Sequence, residues 1–272
     1  MKPRVAIGIT TYKPILDADF GKLLFEAYEA VSSRIVPYQV AVDSERYPVN
    51  SAKDFAAHWH TAIPVEILDR KGGNIVDRYV SHRGAEWRTK GVFSGGGQVL
   101  FTPDTDPRGS HTVTLEHNFS ESLDWVKLFR SLVSIFSPSY AMLHIFTERE
   151  LSMIDERQRF AFNGPIAHET HFTSWLSSSG DWRRPDSFRF EERRHYRFLS
   201  ELSWANVFGP EFSGRYNAVS LAQQASLFEK VGETVYLQVT DQLRDIVDAP
   251  FEFERARARL KASFVNDVFR TP

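Results

Sequence analysis

Apolar residues recur at helical spacing most clearly between Trp125 and Phe136, where Trp125, Leu128, Phe129, Leu132, Ile135 and Phe136 form one broad face. A face that wide needs a sheet to cover, so the pattern predicts a helix lying on strands. Ahead of it, residues 112–115 are short and β-branched, and Asn118 stands three residues before Glu121 in the spacing of a capping box. Behind it, Ser137-Pro138 stops the helix, because proline has no amide proton and restricts the residue before it. Residues 140–146 then return as a largely apolar strand. This strand-helix-strand unit is scaffold and holds no catalytic motif.

The same patterning orders the rest of the chain. Residues 5–11 predict a first strand, and Asp19 caps a helix whose face is Phe20, Leu23, Leu24, Ala27, Tyr28 and Val31. A strand at 37–42 and a short helix at 51–62 follow, with Phe55 and Trp59 one helical turn apart. Strands are expected at 64–68 and 86–93, the latter joined to 98–102 by Ser94-Gly95-Gly96-Gly97 as a hairpin turn. Toward the C-terminus the pattern gives a strand at 202–208, a turn at Gly209-Pro210, a helix at 219–230, an alternating strand at 233–240 and a closing helix at 251–269. Phe253, Ala256, Leu260, Phe264 and Val268 line up on that last helix.

Residues 148–158 have helical character, but the run from about 159 to 198 keeps no period and mixes Pro, Gly, Ser and Arg with aromatics. A long irregular segment within a compact domain is usually functional or mobile. The expected fold is α+β, with mixed, largely antiparallel sheet(s) covered by helices, in a single domain over 1–272 with the irregular segment between two halves. Strand-helix order recurs in both halves without sequence identity, which leaves an internal pseudo-repeat open.

Composition narrows the function classes. The chain is 42% hydrophobic and 25% charged, an ordinary balance for a soluble globular protein, and its formal charge of −2 gives no basic field for non-specific nucleic-acid binding. It has no cysteine, which excludes disulfides, thiolate zinc sites and a cysteine nucleophile. The opening MKPRVAIGITTYKP is too short an apolar run for a signal-peptide core, and no segment reaches the roughly 18–20 apolar residues of a membrane span. The expected location is the cytoplasm, with no membrane or direct nucleic-acid partner.

Local motifs point away from catalysis. His168-Glu169-Thr170-His171 differs from the zinc-protease helix motif, whose histidines are four apart so that both rings meet one metal; here they are three apart, and no third ligand is evident. No metal and no cofactor is expected. Gly95-Gly96-Gly97 lacks the Lys-Ser/Thr pair and following helix of a phosphate loop. Asp104 and Asp106 flank a turn and Glu191-Glu192 abut Arg193-Arg194, where solvated charge or local ion pairing is the ordinary account, and no G-x-S-x-G elbow occurs. The irregular segment differs in kind. Trp175, Trp182, Arg183 and Arg184, with Phe188 and Phe190, concentrate residue types enriched at protein–protein hot spots. Either they form a binding surface or they plug a gap between the two halves.

With these elements in place the layout resembles bacterial immunity proteins of polymorphic-toxin and type VI secretion systems, especially the group paired with restriction-endonuclease-like toxins. Three stretches carry the resemblance: HTVTLEHNF with its helix and SIFSPSYAMLHIF, LSWANVFGPEF, and VGETVYLQVTD. Together they span roughly the last two-thirds of the chain, and none is a stringent motif. The resemblance implies a non-enzymatic protein that binds a cognate antibacterial toxin in the cytoplasm, such as a nuclease, and blocks its active site or substrate path. Trp175, Trp182, Arg183 and Arg184 are the expected toxin-binding residues. Two other classes stand beside it: an enzyme with a hydrolytic site near His168 and His171, and an adaptor of the secretion apparatus, which would associate with several of its components.

Overall fold

The computed structural model describes residues 3–68, 73, 75–91, 94–101, 111–148, 150, 181–182, 196–197, 199, 201–265 and 268–269. They fall into two compact units, Ile9–Pro138 and Met1–Gly8 with Ser139–Pro272. The α+β expectation holds, since each unit combines helices with antiparallel strands. Strand β1 (Arg4–Thr11) crosses the division.

In the Ile9–Pro138 unit, helix α1 (Ala18–Val31) is capped by Asp17, whose carboxylate accepts from the amide of Asp19, the residue expected to be the cap. Its buried face is Gly21, Leu24, Phe25 and Tyr28, with Ala27, while Leu23 is exposed. Trp59 lies against this face: a Cβ on Gly21 would come within 3.1 Å of its ring, so glycine gives the indole a closer approach to α1 than a larger residue would. Strands β2 (Pro37–Val42) and β3 (Glu45–Pro48) form a hairpin through Asp43 and Ser44, both at positive φ, as a two-residue primed turn requires. Helix α2 (Ala52–Ala57) is capped by Ser51. Among the described residues, strands β4 (His60–Leu68) and β5 (Ile75–Gly84) pair only with each other, whereas β6 (Glu86–Thr89), β7 (Gly95–Leu100) and β8 (His111–Asn118) join β2 and β3 in the order β8-β7-β6-β2-β3. Every pairing in that order is antiparallel.

The three glycines expected to form a hairpin turn are instead the first half of strand β7. A Cβ on Gly96 would lie 2.0 Å from the Trp87 carbonyl oxygen, and one on Gly97 would lie 2.4 Å from the Trp87 ring. The run therefore permits close approach of the neighbouring strands and of an indole, which a turn would not need. Helix α3 (Trp125–Phe136) agrees with the sequence pattern: Trp125, Leu128, Phe129, Leu132 and Phe136 are buried. Its cap is Asp124, which accepts from Lys127, and not the expected Asn118–Glu121 box, because Asn118 ends strand β8. Ser137 takes the left-handed conformation at its C-cap, before Pro138. Rings bind the helices to each other and to the sheet: Phe20 stacks on Phe136 at 5.8 Å, and Phe55 meets Phe25 at 6.0 Å and Trp87 at 5.5 Å.

In the other unit, β9 (Tyr140–Phe146) is buried along its whole length. Beyond a short pair, β10 (Asp181–Trp182) with β11 (Tyr196–Arg197), come β12 (Ala205–Phe208), a 3-10 turn at Pro210–Phe212 and helix α4 (Ala218–Gln224). Strands β13 (Leu227–Val231) and β14 (Thr234–Gln238) and helices α5 (Asp245–Asp248) and α6 (Pro250–Lys261) follow. The antiparallel order is β13-β14-β12-β9. The helix expected over 219–230 is shorter, because Gly232 at positive φ turns residues 227–231 back as a strand onto β14. The closing helix stops at Lys261, so Phe264 and Val268 reach the core from the segment after it, where Phe264 packs 5.2 Å from Phe208. The strand expected from 202 begins at Ala205, because Asn206 folds back, donating to the Ser203 carbonyl while its own oxygen accepts from the Ser203 amide. Most of the expected helix at 148–158 lies outside the described residues.

Candidate functional site

Trp175, Arg183 and Arg184 lie outside the described residues, as do His168, His171, Asp104 and Asp106. Trp182 is placed by its backbone, in β10 opposite Tyr196 of β11. The described surface offers a different feature, an arm made of β4 and β5. Two strands paired only with each other are marginal in water, and this pair carries aliphatic side chains into solvent: Ile67, Ile75, Val80 and, at 61% exposure, Val76. Single exposed aliphatics are common; this ribbon carries four, with Ile67 on the face opposite to that of Val80 by the strand pairing, and exposed apolar surface of this kind can serve protein contact. Glu66 and Arg78 pair across the strands at 3.1 Å, both largely exposed. At the root of the arm, His60, His82 and His111 pack around Phe101, with ring centres 5.8, 6.4 and 5.7 Å from it. Burial, reinforced by neighbouring His82, holds His60 below the usual histidine range. The three rings are spread around a phenyl ring and do not converge on one point.

Each unit also contains a buried histidine, and both are held as structural members. In the Ile9–Pro138 unit Trp87 donates to the Tyr28 hydroxyl at 3.2 Å, Tyr28 is 3.0 Å from His117 Nε2, and His117 Nδ1 is 3.4 Å from Thr89 Oγ1. The phenol can donate to Nε2 while its oxygen accepts from the indole, an arrangement that puts the ring proton on Nδ1, toward the threonine. In the other unit, His144 Nδ1 accepts from the Trp204 amide at 3.2 Å, so the ring proton sits on Nε2 and is donated to Glu150 at 3.0 Å. A histidine that accepts a substrate proton needs an available nitrogen facing the substrate. Those of His144 are taken by a backbone amide and a carboxylate.

Glu150 also accepts from the Thr147 amide and hydroxyl, at 3.1 and 3.0 Å, and lies 3.5 Å from the Arg257 guanidinium. Burial opposes its ionisation, but contact with His144, the hydrogen bonds and Arg257 together outweigh it and hold the carboxyl down at about 2. The native carboxyl therefore titrates below the unfolded one. The resulting stabilisation is fully present above the ordinary carboxylate range and is lost as pH falls toward about 2. Wild-type protein should accordingly unfold at higher urea than Glu150→Gln at pH 7, with the gap narrowing as pH drops through 4 toward 3. A gap independent of pH would show that the carboxylate charge contributes nothing.

Among the described residues no three His, Asp or Glu side chains are arranged to hold a metal ion, and no helix is long and apolar enough to cross a membrane. Searches with family models and among curated proteins found no match. Among solved structures, the chain is similar to the Pseudomonas aeruginosa T6SS protein PA0821, with 11% identity and a TM-score of 0.47 over 100% of this chain and 76% of that one. Likeness at this level carries neither fold nor function across. The strand expected at 64–68 lies within β4, whereas β5 was missed; the signal present for the pair was the β-branched residues on both sides of Gly72-Gly73.

Proposed function

We propose that this protein is an immunity protein of a type VI secretion or related polymorphic-toxin system, which neutralises a cognate antibacterial toxin by binding it. The observation that carries the reading is the β4–β5 arm, whose exposed aliphatic side chains suit association with another protein. The sequence resemblance supplies the biological role. Trp175, Trp182, Arg183 and Arg184 are proposed as a second contact region. Tryptophan brings a large rigid apolar surface, and arginine can fork onto the carboxylates of a metal-dependent toxin site.

Co-expression with the product of the neighbouring gene is the direct test: growth should be rescued and the two proteins should co-purify. If no neighbouring product is toxic or binds, the proposal fails. Binding measured by calorimetry then separates the surfaces. Truncating a central anchor among the four Trp and Arg residues to alanine should cost about 2 kcal/mol or more, roughly thirtyfold in affinity. Ile67→Asp and Val76→Asp test the arm in the same way, with circular dichroism confirming that each variant is folded. Normal binding by all four alanine variants would remove that segment from the interface.

A further inference from the structure

We infer that the solvent face of helix α6 is a docking surface for an acidic segment of the toxin, one that sets carboxylates beside an apolar cleft. This rests on the reading of the protein as one that binds a toxin. The helical period sorts the residues of α6: Phe253, Ala256, Arg257 and Leu260 are buried, while Phe251, Arg255 and Ala258 fall on the opposite face with Arg259 beside them, all exposed. Phe251 is 81% exposed, more than any other large apolar side chain among the described residues. The cations of the helix divide too. Arg257 is paired with Glu254 and lies 3.5 Å from Glu150, and Lys261 lies 2.8 Å from Glu201, so both are neutralised within their unit. Arg255 and Arg259 meet no acid among the described residues.

An exposed phenylalanine or arginine is ordinary by itself. Together on one face they are residue types enriched at protein interfaces, where a ring fills a pocket and a guanidinium forks onto a carboxylate. Arg259, in the last turn, also suits the negative end of the helix dipole, but Arg255 lies mid-helix and gains nothing there. Charge then selects the partner. Four residues of helix rise about 6 Å, so the two arginines suit carboxylates at about that spacing, as on successive turns of a helix or alternate residues of a strand. Glu252 and Glu254 are exposed along the borders of the same face. A nucleic-acid backbone or an anionic lipid surface spreads its negative charge and would meet these acids along with the arginines. A folded protein can place its carboxylates singly, against Arg255 and Arg259 and clear of the two glutamates.

The test is calorimetry of the neighbouring gene's product against the wild type and variants of α6. Phe251, Arg255 and Arg259 are exposed, so the variants should fold, which far-ultraviolet circular dichroism checks. Phe251→Ser, Arg255→Glu and Arg259→Glu should each weaken binding by roughly tenfold or more. Added salt should weaken the wild-type complex more steeply than that of the Arg255→Gln, Arg259→Gln double variant, which has lost the charges being screened. If the wild type rescues growth and binds, and all of these variants bind as tightly, the surface is overturned while the immunity reading stands. A neighbouring product that is neither toxic nor bound would overturn both. Retention on phosphatidylserine vesicles or single-stranded DNA that Arg255→Glu abolishes, with binding of the toxin unaltered, would also overturn the acidic protein partner.

Discussion

Leu132→Ala should lower the free energy of unfolding by about 2–5 kcal/mol, the range for removing a large aliphatic side chain from a closed core site. Leu132 is 0% exposed and lies on the α3 face with Leu128, Phe129 and Phe136, all of them buried. Alanine keeps the helix, so the loss comes from the abandoned volume and the contacts that filled it, not from backbone propensity. The ring pairs Phe20–Phe136 and Trp59–Phe136, at 5.8 and 6.5 Å, hold the surrounding wall and limit its collapse into the hole. Urea unfolding followed by far-ultraviolet circular dichroism measures the change. An unaltered midpoint would show that α3 does not organise its unit.

Gly97→Ala should destabilise the same unit by about 1–3 kcal/mol or more, through overpacking instead of a cavity. The added methyl would stand 2.3 Å from the Thr114 carbonyl oxygen and 2.4 Å from the Trp87 ring. Neither neighbour can yield cheaply: the carbonyl belongs to paired strand β8, and the indole donates to Tyr28 from a buried position. Gly214→Asn is the matched control. Gly214 has positive φ and nothing within 4 Å of a built Cβ, and asparagine tolerates that conformation. If Gly97→Ala unfolds at the same urea concentration as the wild type, the strand is not packed as tightly as these distances require.

Where a single element decides its own structure, the chain was legible. The α3 face, its stop at Ser137-Pro138 and strand β9 follow from spacing and from proline chemistry, and they occur where the pattern put them. Errors arose where a distant residue decides. The glycines of β7 resemble a turn until Trp87 and the backbones of β6 and β8 are seen to need the space. The close packing of α1 at Gly21 involves Trp59, and the early end of α4 the hairpin at Gly232. Local propensity cannot register such contacts. Nor could the sequence reveal the surface of the arm, because aliphatic residues alternating in a strand normally signal a buried face.

The assignment of β1 bears on the order in which the chain can fold during synthesis. Met1–Gly8 is made before the Ile9–Pro138 unit, yet it belongs with Ser139–Pro272, which is made after it. A nascent chain that has just delivered Pro138 already holds everything in the Ile9–Pro138 unit, while its first strand segment still waits for β9 and the strands after it. At translation speeds of about 5–20 residues per second, that wait lasts several seconds. During it Val5, Ala6 and Ile7, buried in the finished protein, have only one of the two strands that flank β1 available, β8 and not β9. A pause in translation after residue 138 would lengthen this exposure without disturbing the elements already made, and the cost would appear as aggregation or chaperone dependence and not as a change in final stability.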